Sequence, residues 1–158
     1  MSLDDLYMEI ILDHYRAPRN RSGELEPHDV LVHHSNPLCG DELDLRIRVD
    51  GSDAARPVLD AVAFEGDGCS ISMASASVMT EAVKGRGLAD ADDLAEAFRL
   101  MLHGEGIKRE DDLLDGVAFQ GVAKFPVRVK CALLGWMALK DAMSTYTDGG
   151  AEHRVTHD

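Results

Sequence analysis

The sequence predicts an α+β fold, a small antiparallel three-stranded sheet with helices packed on one face. Leu43, Leu45, Ile47 and Val49 alternate with Asp44, Arg46 and Arg48, the period of two that marks a half-buried strand. Two further β-rich runs, Val30 to Val32 and Val58 to Phe64, lie either side of it and are bounded by turn residues. Four other stretches repeat their apolar residues at helical spacing.

Ser2 is a plausible N-cap, and Leu3, Leu6, Tyr7, Ile10, Ile11 and His14 follow at helical spacing, so residues 3 to 16 read as an amphipathic helix stopped by Pro18. His14, at the end of that stripe, reads as a partly buried imidazole at a helix C-terminus. Arg16 to Glu26 is a polar connector without a period. Val30-Leu31-Val32 suits a short strand, and His33 and His34 follow it. Adjacent strand residues point to opposite faces, so at most one of these histidines can face a site near Cys39. Asp50-Gly51-Ser52-Asp53 is turn chemistry between the second and third strands, which together form a meander with one face open to water.

Gly66-Asp67-Gly68 breaks the third strand, and Cys69 opens a helix in which Ile71, Ala74, Ser75, Val78 and Ala82 share a face as far as Lys84. Its many Ser and Ala side chains leave it thin, which allows neighbours close approach. Asp90 is read as the cap of a further helix through Leu94, Phe98 and Leu102, ending near Gly104. Glu105 to Gly121 reads as an irregular or weakly helical insertion. Phe125-Pro126 begins the last helix, since proline is tolerated at the first helical position. It runs to about Met143, is apolar on much of its circumference, and carries Trp136 as the one large anchor of the core. The expected organisation is one domain over residues 1–146 and a polar, disordered tail over 147–158, to which His153 and His157 belong.

The chain has 158 residues and a formal net charge of −13, from 29 acidic and 16 basic residues. A polyanion is repelled by such a surface, so nucleic acid and anionic membrane are poor partners and a protein with a basic face is a better one. No apolar run approaches the ~18 residues of a membrane helix. Met1 to Asp5 lacks the basic start of a signal peptide, and the expected compartment is the cytoplasm. Three cysteines, Cys39, Cys69 and Cys131, are an odd number, and in a reducing compartment they read as ligands or nucleophiles rather than as a disulfide framework. The competing reading is three small buried hydrophobes.

The chemistry is organised around Asn36-Pro37-Leu38-Cys39-Gly40-Asp41. A thiol and a carboxylate stand two residues apart between the residues that fix tight turns. Cys69 stands at the start of one helix and Cys131 in the first turn or two of another, where the helix N-terminus favours a thiolate. The three elements can therefore converge on a tetrahedral site of Cys39, Asp41, Cys69 and Cys131 at one end of the sheet. Soft thiolates select zinc or an iron–sulfur cluster over magnesium or calcium. Four anionic ligands exceed the charge of one divalent ion, and Arg128, three residues before Cys131 on the same helical face, is placed to offset part of the excess. Spacing alone leaves zinc and a cluster both open.

Asn36-Pro37 with Cys39-Gly40-Asp41, then Gly66-Asp67-Gly68-Cys69-Ser70-Ile71-Ser72 with Ser75, then Phe125-Pro126-Val127-Arg128-Val129-Lys130-Cys131-Ala132 resemble the IscU/NifU-like superfamily of iron–sulfur cluster assembly proteins. The resemblance covers nearly the whole chain and implies the SufE/NifU, or IscU-like, fold. Scaffolds of the IscU kind carry a histidine where this chain has Lys130 and lack the Glu105 to Gly121 insertion, so the chain resembles the SufU branch. That branch implies a zinc-bound sulfurtransferase accepting persulfide from a pyridoxal-phosphate cysteine desulfurase of the SufS type and serving downstream iron–sulfur assembly proteins. It also implies Cys39 as the acceptor thiol, Cys39, Asp41, Cys69 and Cys131 as zinc ligands, and a partner histidine that takes the place of Cys39 on the metal at docking. The alternative implied by the same resemblance is a scaffold for a nascent [2Fe–2S] cluster. His33, His34 and the Glu105 to Gly121 insertion are the candidates for desulfurase docking.

Overall fold

Helix α1 (Leu3–Arg16) starts where the sequence places it, with Ser2 and Asp5 forming a reciprocal capping box. Only Ile11 and His14 of its apolar stripe are fully buried, with Tyr7 and Ile10 packed at the edge of the core, while Leu3, Leu6 and Met8 remain exposed. His14 is enclosed completely rather than partly. Its Nδ1 lies 2.8 Å from Ser77 Oγ and its Nε2 2.8 Å from Asp115 Oδ2, so one imidazole ties α1 to two other segments. In this computed structural model residues 2–157 are described.

The strands are longer than their apolar runs: β1 (Val30–Asn36), β2 (Asp41–Asp50) and β3 (Val58–Asp67). Antiparallel pairing sets Val32 opposite Leu45, His34 opposite Leu43 and Asn36 opposite Asp41, carrying the ladder past the β-branched residues into polar ones. Val30, Val32, Leu43, Leu45 and Ile47 are buried on the helix side. The other face carries the His33–Asp44 and Arg48–Asp60 pairs. The connector after α1 is less free than its composition suggests. Phe64 N–H donates to the Asn20 carbonyl and Ser22 N–H to the Phe64 carbonyl, so it edges β3.

Two features of the predicted sheet are corrected. It has four strands, not three, and it is mixed, not purely antiparallel: β4 (Glu152–Thr156) pairs parallel to β1, giving the order β3-β2-β1-β4. This strand lies within the stretch read from sequence as a disordered tail.

Helix α2 (Ser70–Val83) is the thin central helix expected from its composition, with every residue from Ser72 to Thr80 buried. It packs against α5 (Pro126–Thr147), which also closes over the sheet. Ser75 joins the two, donating to the Ala132 carbonyl at 2.6 Å and accepting from Trp136 Nε1–H at 3.1 Å. Trp136 in turn stacks on Phe98, the ring centroids 4.4 Å apart. Helix α3 (Leu88–Leu102) begins earlier than predicted, with Gly87 rather than Asp90 at its cap. Asp90 lies in the first turn and pairs instead with Arg86 and Arg109. The insertion resolves into the single-turn α4 (Glu110–Leu113) and a 3₁₀ helix over Leu114–Lys124. Among the described residues no helix is long and apolar enough to cross a membrane.

Candidate metal centre

The first sulfur is presented by the turn between β1 and β2. Asn36 is buried; its Oδ1 accepts the Leu38 N–H at 3.0 Å and its carbonyl accepts the Cys39 N–H at 3.2 Å. This is the local hydrogen bonding that Asn offers a turn. Gly40, at φ +69°, supplies the left-handed residue that lets the chain enter β2 at Asp41. Cys39 is left half-buried at the rim, beside an exposed Leu38, whereas Asp41 is buried.

Asp41 reaches across to the start of α2. Its Oδ1 accepts the Cys69 backbone N–H at 3.0 Å, and its Oδ2 lies 3.9 Å from Cys69 Sγ. Cys69 is the N-cap residue of α2, its sulfur 3.5 Å from the Ser72 N–H, and Ser72 Oγ donates to the Cys69 carbonyl at 3.0 Å. Gly68 has no room for a side chain. A Cβ there would overlap Ser72 Oγ and come within 2.9 Å of Asp41 Oδ1.

The third sulfur comes from α5. Cys131 Sγ donates to the Val127 carbonyl at 3.5 Å, and Cys39 Sγ lies 3.9 Å from that same oxygen, so two thiols from distant elements point at one place. Ligand atoms of Cys39, Asp41 and Cys131 all lie within 4.8 Å of one another. A tetrahedral zinc with Zn–S near 2.3 Å holds its sulfurs roughly 3.8 Å apart, so these three donors are close enough to share one ion. Cys69 stands beside this trio, joined to it through Asp41.

Electrostatics sharpen the picture. The Cys131 thiol is pushed up from its ordinary value, first by burial, then by its hydrogen bond with Cys39 and the nearby charges of Cys69 and Asp41. The helix start was expected to favour a thiolate here, and burial overrides it. Four potentially anionic donors crowded in a half-buried space are a donor set that suits a thiophilic divalent cation, which would replace the missing positive charge.

Arg128 is exposed, one turn before Cys131, and lines a cleft of about 540 Å³ with Tyr7, Ile71 and Phe125. Lys130 is exposed as well. Neither of the adjacent histidines of β1 joins the sulfur cluster: His33 pairs with Asp44 on the open face, and His34 turns toward α5, where Asp141 meets it. Sequence reasoning did not assign roles to Asn36, Ser72 or the Val127 carbonyl. An Asn before Pro and a Ser three residues after a helix cap were the available signals.

Comparison with known proteins agrees with this architecture. The family model described as NifU-like N terminal domain matches residues 6–152. The zinc-dependent sulfurtransferase SufU of Bacillus subtilis (strain 168) is 43% identical over 148 residues, covering 94% of this chain and 96% of that protein. The iron–sulfur cluster assembly scaffold protein IscU of Streptococcus pyogenes serotype M1 is 38% identical, covering 89% and 84% respectively. In three dimensions, the crystal structure of the N-terminal part of a nitrogen-fixing NifU-like protein from Brucella abortus superposes with a TM-score of 0.80 at 25% identity, over 92% of this chain and 97% of that one. A family match spanning nearly the whole chain, carried by the same fold and by relatives named for iron–sulfur cluster assembly, means that this chain belongs to the NifU-like N-terminal domain family.

Proposed function

We propose that the protein is a zinc-dependent sulfurtransferase of the cytoplasm, taking persulfide sulfur from a pyridoxal-phosphate cysteine desulfurase and passing it toward iron–sulfur cluster assembly. The observation that carries this reading is the difference in how the three sulfurs are held. Cys131 is 2% exposed; Cys39 and Cys69 are both half-buried, but Cys69 is tied into a helix cap by Asp41 and Ser72, whereas Cys39 sits on the β1–β2 turn beside an exposed Leu38. Cys39 is the sulfur best placed to meet another protein's. The 43% identity to a protein named as a zinc-dependent sulfurtransferase supports it.

Zinc would be held by Cys39, Asp41, Cys69 and Cys131, and when bound it would supply the positive charge that keeps the sulfurs as thiolates. The rest follows from the chain's own groups. The Asn36 turn holds Cys39 at the end of the sheet, beside an exposed Leu38. The Cys39 thiolate attacks the terminal sulfur of the partner's persulfide, a new S–S bond forms, the old one breaks, and the partner's cysteine leaves as its thiolate. No electrons are gained or lost overall. The residual acidity of the surface, −13 formally, suits a partner with a basic docking face.

The donor-orienting contacts give one prediction. Gly68→Ala pushes Asp41 and Ser72 away from Cys69 and is expected to weaken zinc affinity about 10- to 100-fold, the range for lost ligand-orienting contacts, as measured by chelator competition.

A scaffold reading is favoured by the 38% identity to a protein named IscU. It requires a stable, transferable cluster on anaerobic reconstitution of zinc-free protein. The sulfurtransferase reading is tested by desulfurase stimulation in a Cys39→Ala variant.

A further inference from the structure

The last strand brings with it a histidine cluster that the sulfur chemistry does not use. Strand β4 begins at Glu152, where the family match ends. Its alternation sends His153, Val155 and His157 to one side, and the parallel register puts His153 beside Val32 and Val155 beside His34, both buried residues of β1. His34 Nδ1 lies 2.8 Å from His157 Nε2, and His34 Nε2 lies 2.8 Å from Asp141 Oδ2 of α5. His153 Nδ1 lies 2.7 Å from the other oxygen, Asp141 Oδ1, which also accepts from Thr145 Oγ1 at 3.4 Å. Backbone bonds add to this: His157 N–H donates to the Ser35 carbonyl and Leu31 N–H to the Ala151 carbonyl.

Proton counting shows what the cluster tolerates. With Asp141 ionised, neutral His34 donates from Nε2, which leaves Nδ1 as an acceptor for His157 Nε2–H. His153 donates to Asp141 whether neutral or charged. One proton added to the His34–His157 pair still leaves a donor facing an acceptor. A second puts two N–H groups face to face, and two like charges beside a nearly buried ring.

We propose that β4 is a proton-released latch on β1, docked while the His34–His157 pair holds at most one extra proton and freed when both imidazoles are protonated. Release uncovers the β1 edge from Leu31 to Ser35, the strand that leads directly into the turn carrying Cys39. The groups facing the pair are His34 from β1, Asp141 and Thr145 from α5, and His153 from β4. Lys130 lines the same cleft as His157, with Asn36. Glu152 and Arg154 lie on the opposite side of the strand, Arg154 in register with His33. Burial lowers the His34 pKa below its ordinary 6.5, opposed by Asp141 and reinforced by His157 and His153. The sign follows: a released His34 binds its proton near the ordinary value and a docked one does not, so docking is strongest above that value and weakens as the pH falls through it.

Amide hydrogen exchange of the full chain, corrected for intrinsic rates, at about pH 7.5 and about pH 5.5 brackets the ordinary histidine value. Protection of residues 152–156 is expected to fall about tenfold or more on acidification while β2 and β3 amides keep theirs. His157→Gln keeps a donor for His34 and can turn its amide oxygen to a protonated ring, so it is expected to flatten the response. His153→Gln is expected to keep it. Unchanged protection of β4 in the wild type, or an undiminished pH response in His157→Gln, overturns the proposal.

Discussion

Cys39→Ala is expected to bring desulfurase turnover in the presence of this protein down to the rate of the desulfurase alone. The reason is geometric before it is chemical. Cys39 sits on a turn whose shape is set by bonds to Asn36 and by Gly40, so removing the sulfur leaves the fold intact and takes away the thiol that the turn presents. Cys131 is buried against the Val127 carbonyl, out of reach of another protein's persulfide, so it does not stand in as acceptor. Cys69 is held at the cap of α2 by Asp41 and Ser72. A serine at position 39 is expected to fail equally, because transfer needs a thiolate's nucleophilicity toward sulfur and a hydroxyl has none at neutral pH. The check is sulfide or alanine release by a cysteine desulfurase with each variant, alongside circular dichroism to show an unchanged fold. Full stimulation by Cys39→Ala would reject the assigned role.

Removal of the metal is the second large effect. The proposed ligands come from the β1–β2 turn, the start of α2 and the second turn of α5, three places far apart in sequence, so an ion joining them would tie the sheet end to both central helices. Without it, Asp41 and three thiols stand close together with no cation among them. An ion present at a thousand times its Kd stabilises the folded state by about 4 kcal/mol. For a chain of this size each kcal/mol moves Tm by about 2–4 °C, so chelation is expected to lower Tm by roughly 10 °C, read by differential scanning calorimetry. The thiols must lose protons to bind, so the shift is expected to shrink as pH falls. An unchanged Tm after chelation would mean that no ion was holding these elements.

The legible parts of the fold and site were those with strong local signals. The alternation from Leu43 to Val49, the capped stripe of α1, the Ser- and Ala-rich α2 and the proline at the start of α5 each marked an element correctly. Long-range pairing was harder to see. Strand β1 runs to Asn36 because β2 supplies partners for His33 to Asn36, a gain that propensity at those positions does not announce. β4 was hidden for a related reason: one side of it is His153, Val155 and His157, and two histidines do not register as apolar alternation, although their hydrogen bonds to Asp141 of α5 and to His34 of β1 make them serve as a strand face. Helix α3 starts at Leu88 because Leu88 and Ala91 are drawn into the core, which outweighs the capping preference of Asp90. At the site, the motifs name Cys39, Asp41, Cys69 and Cys131 as candidates, but the tie between Asp41 and the Cys69 backbone needed three dimensions.

Metal analysis of the protein as purified, repeated on Cys131→Ala, tests the central idea most directly, because a cation shared by Cys39, Asp41, Cys69 and Cys131 is what the sulfur chemistry rests on. The expected result is one equivalent of zinc per chain, no iron, and loss of the zinc in the variant. Iron with inorganic sulfide in place of zinc, or a zinc content that Cys131→Ala leaves untouched, would contradict it.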